Sequence, residues 1–270
     1  MTAASLRSQI LPGALLALFA LTACGTHLTP TIAQVDGRAV EVVEAGHGTA
    51  TVVFESGLGN DWTAWDQVAS EVSARARVFA YSRPGYGRSE ASSAPRDGTH
   101  IVEELRALLV ARGFSPPYIL VGHSFGGAYQ ELFAKLHPEE IAGLVLVDSR
   151  PPDFGAACEQ HGFTGCSIPR SAWGTLPAPQ GAELEGFASI SDELRAAGPF
   201  GNYPVRVLIA TFHGLAPEAE AMWLAQGRAL AAEATDGAPV VFEGAGHNLE
   251  VEQPREVSQA ISSLVPAPGT

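Results

Sequence analysis

The sequence predicts an α/β fold, a mostly parallel central sheet with helices on both faces. Two observations carry that expectation. Short β-branched runs alternate with helical stretches along most of the chain, the pattern of strand-helix-strand crossovers. Residues 119–121 (Ile-Leu-Val) and 144–147 (Leu-Val-Leu-Val) are uninterrupted apolar runs, as strands covered on both faces require. The 270 residues, 46% hydrophobic and 17% charged, are enough for one domain with a sizeable core.

Taken in order, residues 31–35 and 38–44 read as strands joined by Asp36-Gly37, a strong two-residue hairpin signal. Strands are expected at 51–54, 78–81, 118–121, 141–147, 205–209 and 240–242, where β-branched and aromatic residues cluster between turn signals. Helices are expected at 62–73, 101–112, 126–137, 218–234 and 255–264. The stretch between Val147 and Val205 is rich in Pro and Gly and far too long for a connecting loop, so residues 149–203 are expected to form an inserted lid or cap within a single domain spanning 31–270.

Sixteen basic residues against 29 acidic ones give a formal charge of −13, a field that disfavours nucleic acid and anionic membrane surfaces as partners. At the N-terminus, Arg7 precedes an apolar run over 10–21, the length of a signal-peptide core and short of a bilayer span. The run ends in Leu21-Thr22-Ala23-Cys24, which resembles the lipobox of bacterial lipoproteins. That resemblance implies removal of residues 1–23, lipidation of Cys24, a tether over 24–30 and an exported protein. Buried acyl chains would hold it at the cell envelope, on the outer face of the plasma membrane or on the outer membrane. The remaining cysteines, Cys158 and Cys166, read as one local disulfide in an oxidising compartment. No CxxC or close histidine pair accompanies them, so no metal set is expected.

The informative motif is Gly122-His123-Ser124-Phe125-Gly126, between an expected strand and an expected helix. In that setting it reads as a nucleophile elbow. A strained turn lifts the serine hydroxyl above the sheet, the flanking glycines remove Cβ clashes, and the helix N-terminus adds positive potential. A phosphate cradle is disfavoured because no Gly-Lys-Ser/Thr follows.

With this elbow, the chain resembles the α/β-hydrolase family over nearly its whole mature length. Residues 81–89, Tyr-Ser-Arg-Pro-Gly-Tyr-Gly-Arg-Ser, are similar to the family's DRPGxGxS loop, with Ser82 replacing the usual Asp. Gly244-Ala245-Gly246-His247-Asn248 resembles the loop after the last strand that carries the catalytic histidine. The resemblance implies a serine hydrolase in which Ser124 attacks and His247 is the base, since a serine hydroxyl is a weak nucleophile by itself. It implies oxyanion donors from the backbone N–H groups of Phe125 and Leu58. No carboxylate follows the strand at 205–209, where most members carry the acid. Asp148, ending the preceding strand, and Glu218 or Glu220, opening the next helix, both keep the Ser-acid-His order; the strand end holds a carboxylate more firmly and makes Asp148 the first choice.

His123 reads as a packing or pocket residue, and His213 as one of several histidines with an ordinary surface or core place. Trp62, Trp65, Phe125, Trp173 and Phe187 are candidates to line an acyl pocket. A small-molecule carboxylic ester is the expected substrate, with no cofactor. Thioesterase, lactonase, peptidase and perhydrolase chemistry share the motifs, and a ligand-binding lipoprotein on an inactive scaffold is the alternative outside enzymology.

Overall fold

The computed structural model describes residues 27–35 and 37–267. The expected signal peptide (1–23), the lipidation site Cys24 and Asp36 of the hairpin lie outside them. Eight strands form one sheet: β1 (Thr31–Val35), β2 (Arg38–Ala45), β3 (Thr51–Glu55), β4 (Arg77–Tyr81), β5 (Tyr118–His123), β6 (Ile141–Val147), β7 (Val205–Ala210) and β8 (Gly237–Phe242). Their spatial order is β1-β2-β4-β3-β5-β6-β7-β8. The β1–β2 and β2–β4 pairings are antiparallel and every later pairing is parallel. The hairpin register pairs Val35 with Arg38, so a two-residue turn joins β1 and β2, and Gly37 takes φ +78°.

The period of two along the buried strands sorts side chains onto two faces. Val53 of β3 with Leu144 and Leu146 of β6 point to one face, where they pack with α2 (Gly98–Ala111), α3 (Phe125–Leu136) and α7 (Pro217–Glu233). Their strand neighbours Val52, Phe54, Val145 and Val147 point to the other, against α1 (Asp66–Ser73) and the C-terminal helix at Pro254–Ser262. Helices therefore cover both faces, as the apolar strands require. Trp62 and Trp65 sit in this second layer, Trp65 with its ring 5.1 Å from that of Phe54. They are core residues, which corrects the expectation that they line a pocket.

Between β6 and β7, residues 148–204 hold three α-helices, α4 (Phe154–Gln160), α5 (Ala178–Gly186) and α6 (Ile190–Ala197), with short 3-10 turns between them. Pro and Gly punctuate these helices, so the segment is an ordered helical excursion. Cys158 and Cys166 are joined by a disulfide within it. The tie closes a small ring, so its entropic contribution is modest, about 2 kcal/mol.

Candidate active site

Ser124 stands between the end of β5 and the start of α3 with φ +53° and ψ −119°. Gly126 is required there, because a Cβ on it would press into the carbonyl oxygens of Glu55 and Ser56. Asp148 is the residue after β6, at φ +41°, and among the described residues Ser124 and Asp148 are the non-glycine residues with positive φ. Such strain persists only where the surroundings over-determine it. Here the two strand ends are tied together, with Ser124 N–H donating to Val147 O (3.3 Å), Arg150 N–H to Ser124 O (3.1 Å) and Asp148 N–H to Leu208 O (2.7 Å).

His247 follows β8 and reaches between them. The Ser124 hydroxyl is 2.9 Å from His247 Nε2, and His247 Nδ1 is 2.6 Å from Asp148 Oδ2. Glu218 is exposed on the first turn of α7, outside this line of contacts. Asp148 is fully buried, and its carboxylate accepts four hydrogen bonds: His247 Nδ1 and His213 Nε2 (2.7 Å) on Oδ2, Ala210 N–H and Trp223 Nε1 (both 2.9 Å) on Oδ1. Burial by itself would raise its pKa, but the bonds from His213 and His247 outweigh it and hold the carboxyl below its ordinary value.

His213 continues the chain of contacts. Its Nδ1 is 2.7 Å from Glu220 Oε2, while Glu220 Oε1 accepts the N–H groups of His213 (2.6 Å) and Leu215 (3.0 Å). Both ring nitrogens face carboxylates and can donate only when both carry protons. Desolvation opposes that charge, yet Asp148 and Glu220 raise the His213 pKa above the usual histidine value. A raised pKa contributes stability that is complete below about pH 6.5 and is lost as pH rises through the folded-state value. The His213→Gln variant is therefore expected to melt below the wild type at pH 6, with the gap narrowing by pH 9; thermal melts at the two pH values check it, and a gap that widens contradicts it.

Asp148, His213 and His247 also bring donor atoms within the reach of one metal ion. The nitrogen-to-oxygen separations of 2.6 and 2.7 Å are those of charge-assisted hydrogen bonds, so protons already satisfy the group.

His123 lies beneath this assembly, its Nε2 donating to the backbone oxygen of His247 at 3.0 Å. Its Nδ1 is 3.1 Å from Glu250 Oε1 without hydrogen-bond alignment. Burial pulls the His123 pKa down to about 3 and pushes that of Glu250 up to about 8, so both are neutral at pH 7 and the pair adds no net charge below His247.

Arg83 organises the loop after β3. Its Nη1 donates to Glu55 Oε1 (2.7 Å) and Ser56 O (2.5 Å), and its Nη2 to Gly57 O (3.0 Å) and Glu183 Oε2 (2.8 Å). Its Nε donates to Glu183 Oε1 (2.7 Å), so all five guanidinium donors are used with the side chain 1% exposed. Tyr81 and Tyr86 add hydroxyl bonds to Glu55 (2.6 Å) and Glu183 (3.1 Å). Ser82, in the place where the loop pattern has Asp, donates to Glu41 Oε2 at 2.9 Å.

Ser124 and His247 open on a cavity of about 450 Å³, walled by Leu58, Phe125, Arg150, Ile168 and Leu184 among others. Of the aromatics proposed for a pocket, Phe125 lines it; Phe187 stacks on Phe125 from behind at 3.8 Å between centroids, and Trp173 lies in the helical excursion outside the wall.

Comparison with known proteins decides the family. Residues 52–260 match the model of the Alpha/beta hydrolase family. The chain belongs to that family. Within it, this chain is 27% identical to the uncharacterized protein YqjL of Bacillus subtilis over 216 residues, 80% of this chain and 83% of that one. A putative carbamate hydrolase, RutD of Caulobacter vibrioides, is 32% identical over 47% of this chain and 49% of its own length. Among solved structures, an esterase from Thermogutta terrifontis superposes with a TM-score of 0.63 at 22% identity, covering 88% of this chain and all of that one. The enol-lactonase of Burkholderia xenovorans superposes with a TM-score of 0.66 at 20% identity, over 87% and 99% of the two chains. Both share the fold.

On sequence alone, His213 has an ordinary place and Glu220 the part of an alternative acid; the structure instead pairs the two with each other, a contact that the sequence reading missed, as it missed the Arg83 cluster. A histidine seven residues before a glutamate at a helix start was the only available signal for that contact.

Proposed function

We propose that the protein is a serine hydrolase of carboxylic esters, with Ser124 as nucleophile, His247 as general base and acid, and Asp148 as the carboxylate that orients His247. The observation that carries this reading is the unbroken line from Ser124 Oγ through His247 to a buried, ionised Asp148, at 2.9 and 2.6 Å. Asp148 holds the proton of His247 on Nδ1, which leaves the Nε2 lone pair facing the serine hydroxyl. As Ser124 Oγ bonds to the acyl carbon, its proton moves to His247 Nε2 and the carbonyl becomes an oxyanion. The imidazolium then protonates the departing alcohol, and water repeats both steps to free the acid.

The oxyanion donors in this reading are Phe125 and Leu58. Phe125 is the first residue of α3, and its N–H has no acceptor within the helix. In a planar trans peptide the Leu58 N–H points opposite to the Gly57 carbonyl, which Arg83 holds, and so away from Arg83. Each donor contributes about 100-fold or more in rate. Thioesters, lactones and amides offer the same carbonyl carbon, and a substrate panel ranks the leaving groups.

We also propose export with a lipid on Cys24; a disulfide between Cys158 and Cys166 supports an oxidising compartment.

The test is a serine-reactive fluorophosphonate with mass analysis, beside pre-steady-state release of 4-nitrophenol from a short-chain ester. One adduct on the peptide containing Ser124 and a stoichiometric burst are expected. If neither occurs, the chain is a binding scaffold and the proposal fails.

A further inference from the structure

We propose that Arg150 makes this cavity selective for esters that carry a carboxylate, binding that carboxylate as its counter-ion; this rests on the ester hydrolase reading above. Arg150 follows Asp148 by two residues, and its N–H is bonded to the carbonyl of Ser124, so it is seated on the nucleophile's own peptide. Its side chain lines the same cavity as Ser124 and His247. The guanidinium lies 5.9 Å from the Phe125 ring centroid and 5.8 Å from that of Phe154.

One of its five N–H donors is used, by Cys166 O at 2.9 Å. No carboxylate of the described residues pairs with it, and none of the residues walling the cavity is Asp or Glu. The buried guanidiniums of Arg83 and Arg96 provide the contrast. Arg83 is paired with Glu55 and Glu183, and Arg96 with Glu104 and Glu183. Among the described residues Arg77 also lies over an aromatic ring without an ion pair, but Arg150 alone of the arginines and lysines walls this cavity. Desolvation with no compensating anion pulls the Arg150 pKa down to about 10, so the charge is present at neutral pH but poorly solvated. A ligand carboxylate supplies what the site lacks, since its two oxygens match the planar fork of a guanidinium. The bond to Cys166 O also links this cation to the disulfide-bearing segment, whose residues Gly165 to Ile168 form the adjoining wall.

The experiment compares kcat/KM for monomethyl glutarate with that for methyl pentanoate, a neutral ester of similar length, in the wild type and in Arg150→Met and Arg150→Lys. The wild type is expected to favour the anionic ester at least tenfold, and Arg150→Met to lower the anionic-to-neutral ratio about 100-fold, with Arg150→Lys between them. Equal or reversed preference in the wild type overturns the proposal, whatever the variants do. So does an unchanged ratio in Arg150→Met, which assigns Arg150 to holding the loop at Cys166. If the wild type hydrolyses neither ester, the 4-nitrophenol burst decides the ester hydrolase reading separately, and calorimetric titration with glutarate decides the remaining question. Binding to the wild type and its loss in Arg150→Met upholds anion recognition, and no binding to the wild type overturns it.

Discussion

Replacing Asp148 with asparagine lowers the turnover of a short-chain ester by about 10⁴-fold, while the variant still folds. The reason lies in which atoms an amide can offer. Oδ1 of Asp148 accepts from Ala210 N–H and Trp223 Nε1, and an asparagine oxygen keeps both bonds. The amide NH₂ then replaces Oδ2 and faces His247 Nδ1 and His213 Nε2 with donors. His213 can adapt by keeping one proton on Nδ1, toward Glu220. His247 can adapt only by moving its proton to Nε2, which places an N–H against the Ser124 hydroxyl and removes the base. Steady-state kinetics with a thermal melt beside them check this. A Glu218→Gln variant, altered on the exposed face of α7, retains wild-type turnover; if the two results are exchanged, the assignment of the acid is wrong.

Arg83→Met gives the largest loss of stability. The substitution leaves Glu55 buried without a cation and Glu183 with only Arg96 at 4.0 Å, and breaking one side of a buried ion pair costs about 3–5 kcal/mol. For a chain of this size that lowers the melting temperature by roughly 6–20 °C. Activity falls as well, by about 100-fold, because the carbonyls of Ser56 and Gly57 lose the group that fixes the Leu58 peptide. The two effects are separable. Adding Glu55→Gln and Glu183→Gln to Arg83→Met removes the uncompensated carboxylates and recovers much of the stability, but the Leu58 peptide stays unheld and the rate stays low. Melting curves and kcat for the single and triple variants distinguish the contributions.

Features that depend on local backbone chemistry were readable in the sequence, and those that depend on partners distant in the chain were not. The turn at Ser124 announces itself because its flanking glycines are steric requirements of adjacent residues. The strands of the sheet interior are legible because burial on both faces demands unbroken apolar runs. The preference for Asp148 over Glu218 as the acid rested on the rigidity of a strand end alone. The pairing of His213 with Asp148 spans 65 residues and that of Arg83 with Glu183 spans 100, and no periodicity encodes either. The helices at 154–160, 178–186 and 190–197 were hidden by the prolines and glycines that separate them. Trp62 and Trp65 misled because an aromatic residue near a motif is equally suited to a pocket and to a core.

The three groups of the proposed triad do not rest on equally firm ground. Ser124 and Asp148 end β5 and β6, interior strands whose tips are bonded to one another, whereas His247 hangs from β8, an edge strand with partly exposed residues along its length. Its loop is secured by a few contacts, among them Gly244 N–H to Thr211 Oγ1 (2.8 Å), Gly246 N–H to Glu252 Oε2 (2.8 Å) and His123 Nε2 to His247 O (3.0 Å). Local opening is easiest at such margins. On warming, the base therefore departs from an otherwise intact scaffold, and the temperature of inactivation falls below the temperature of unfolding.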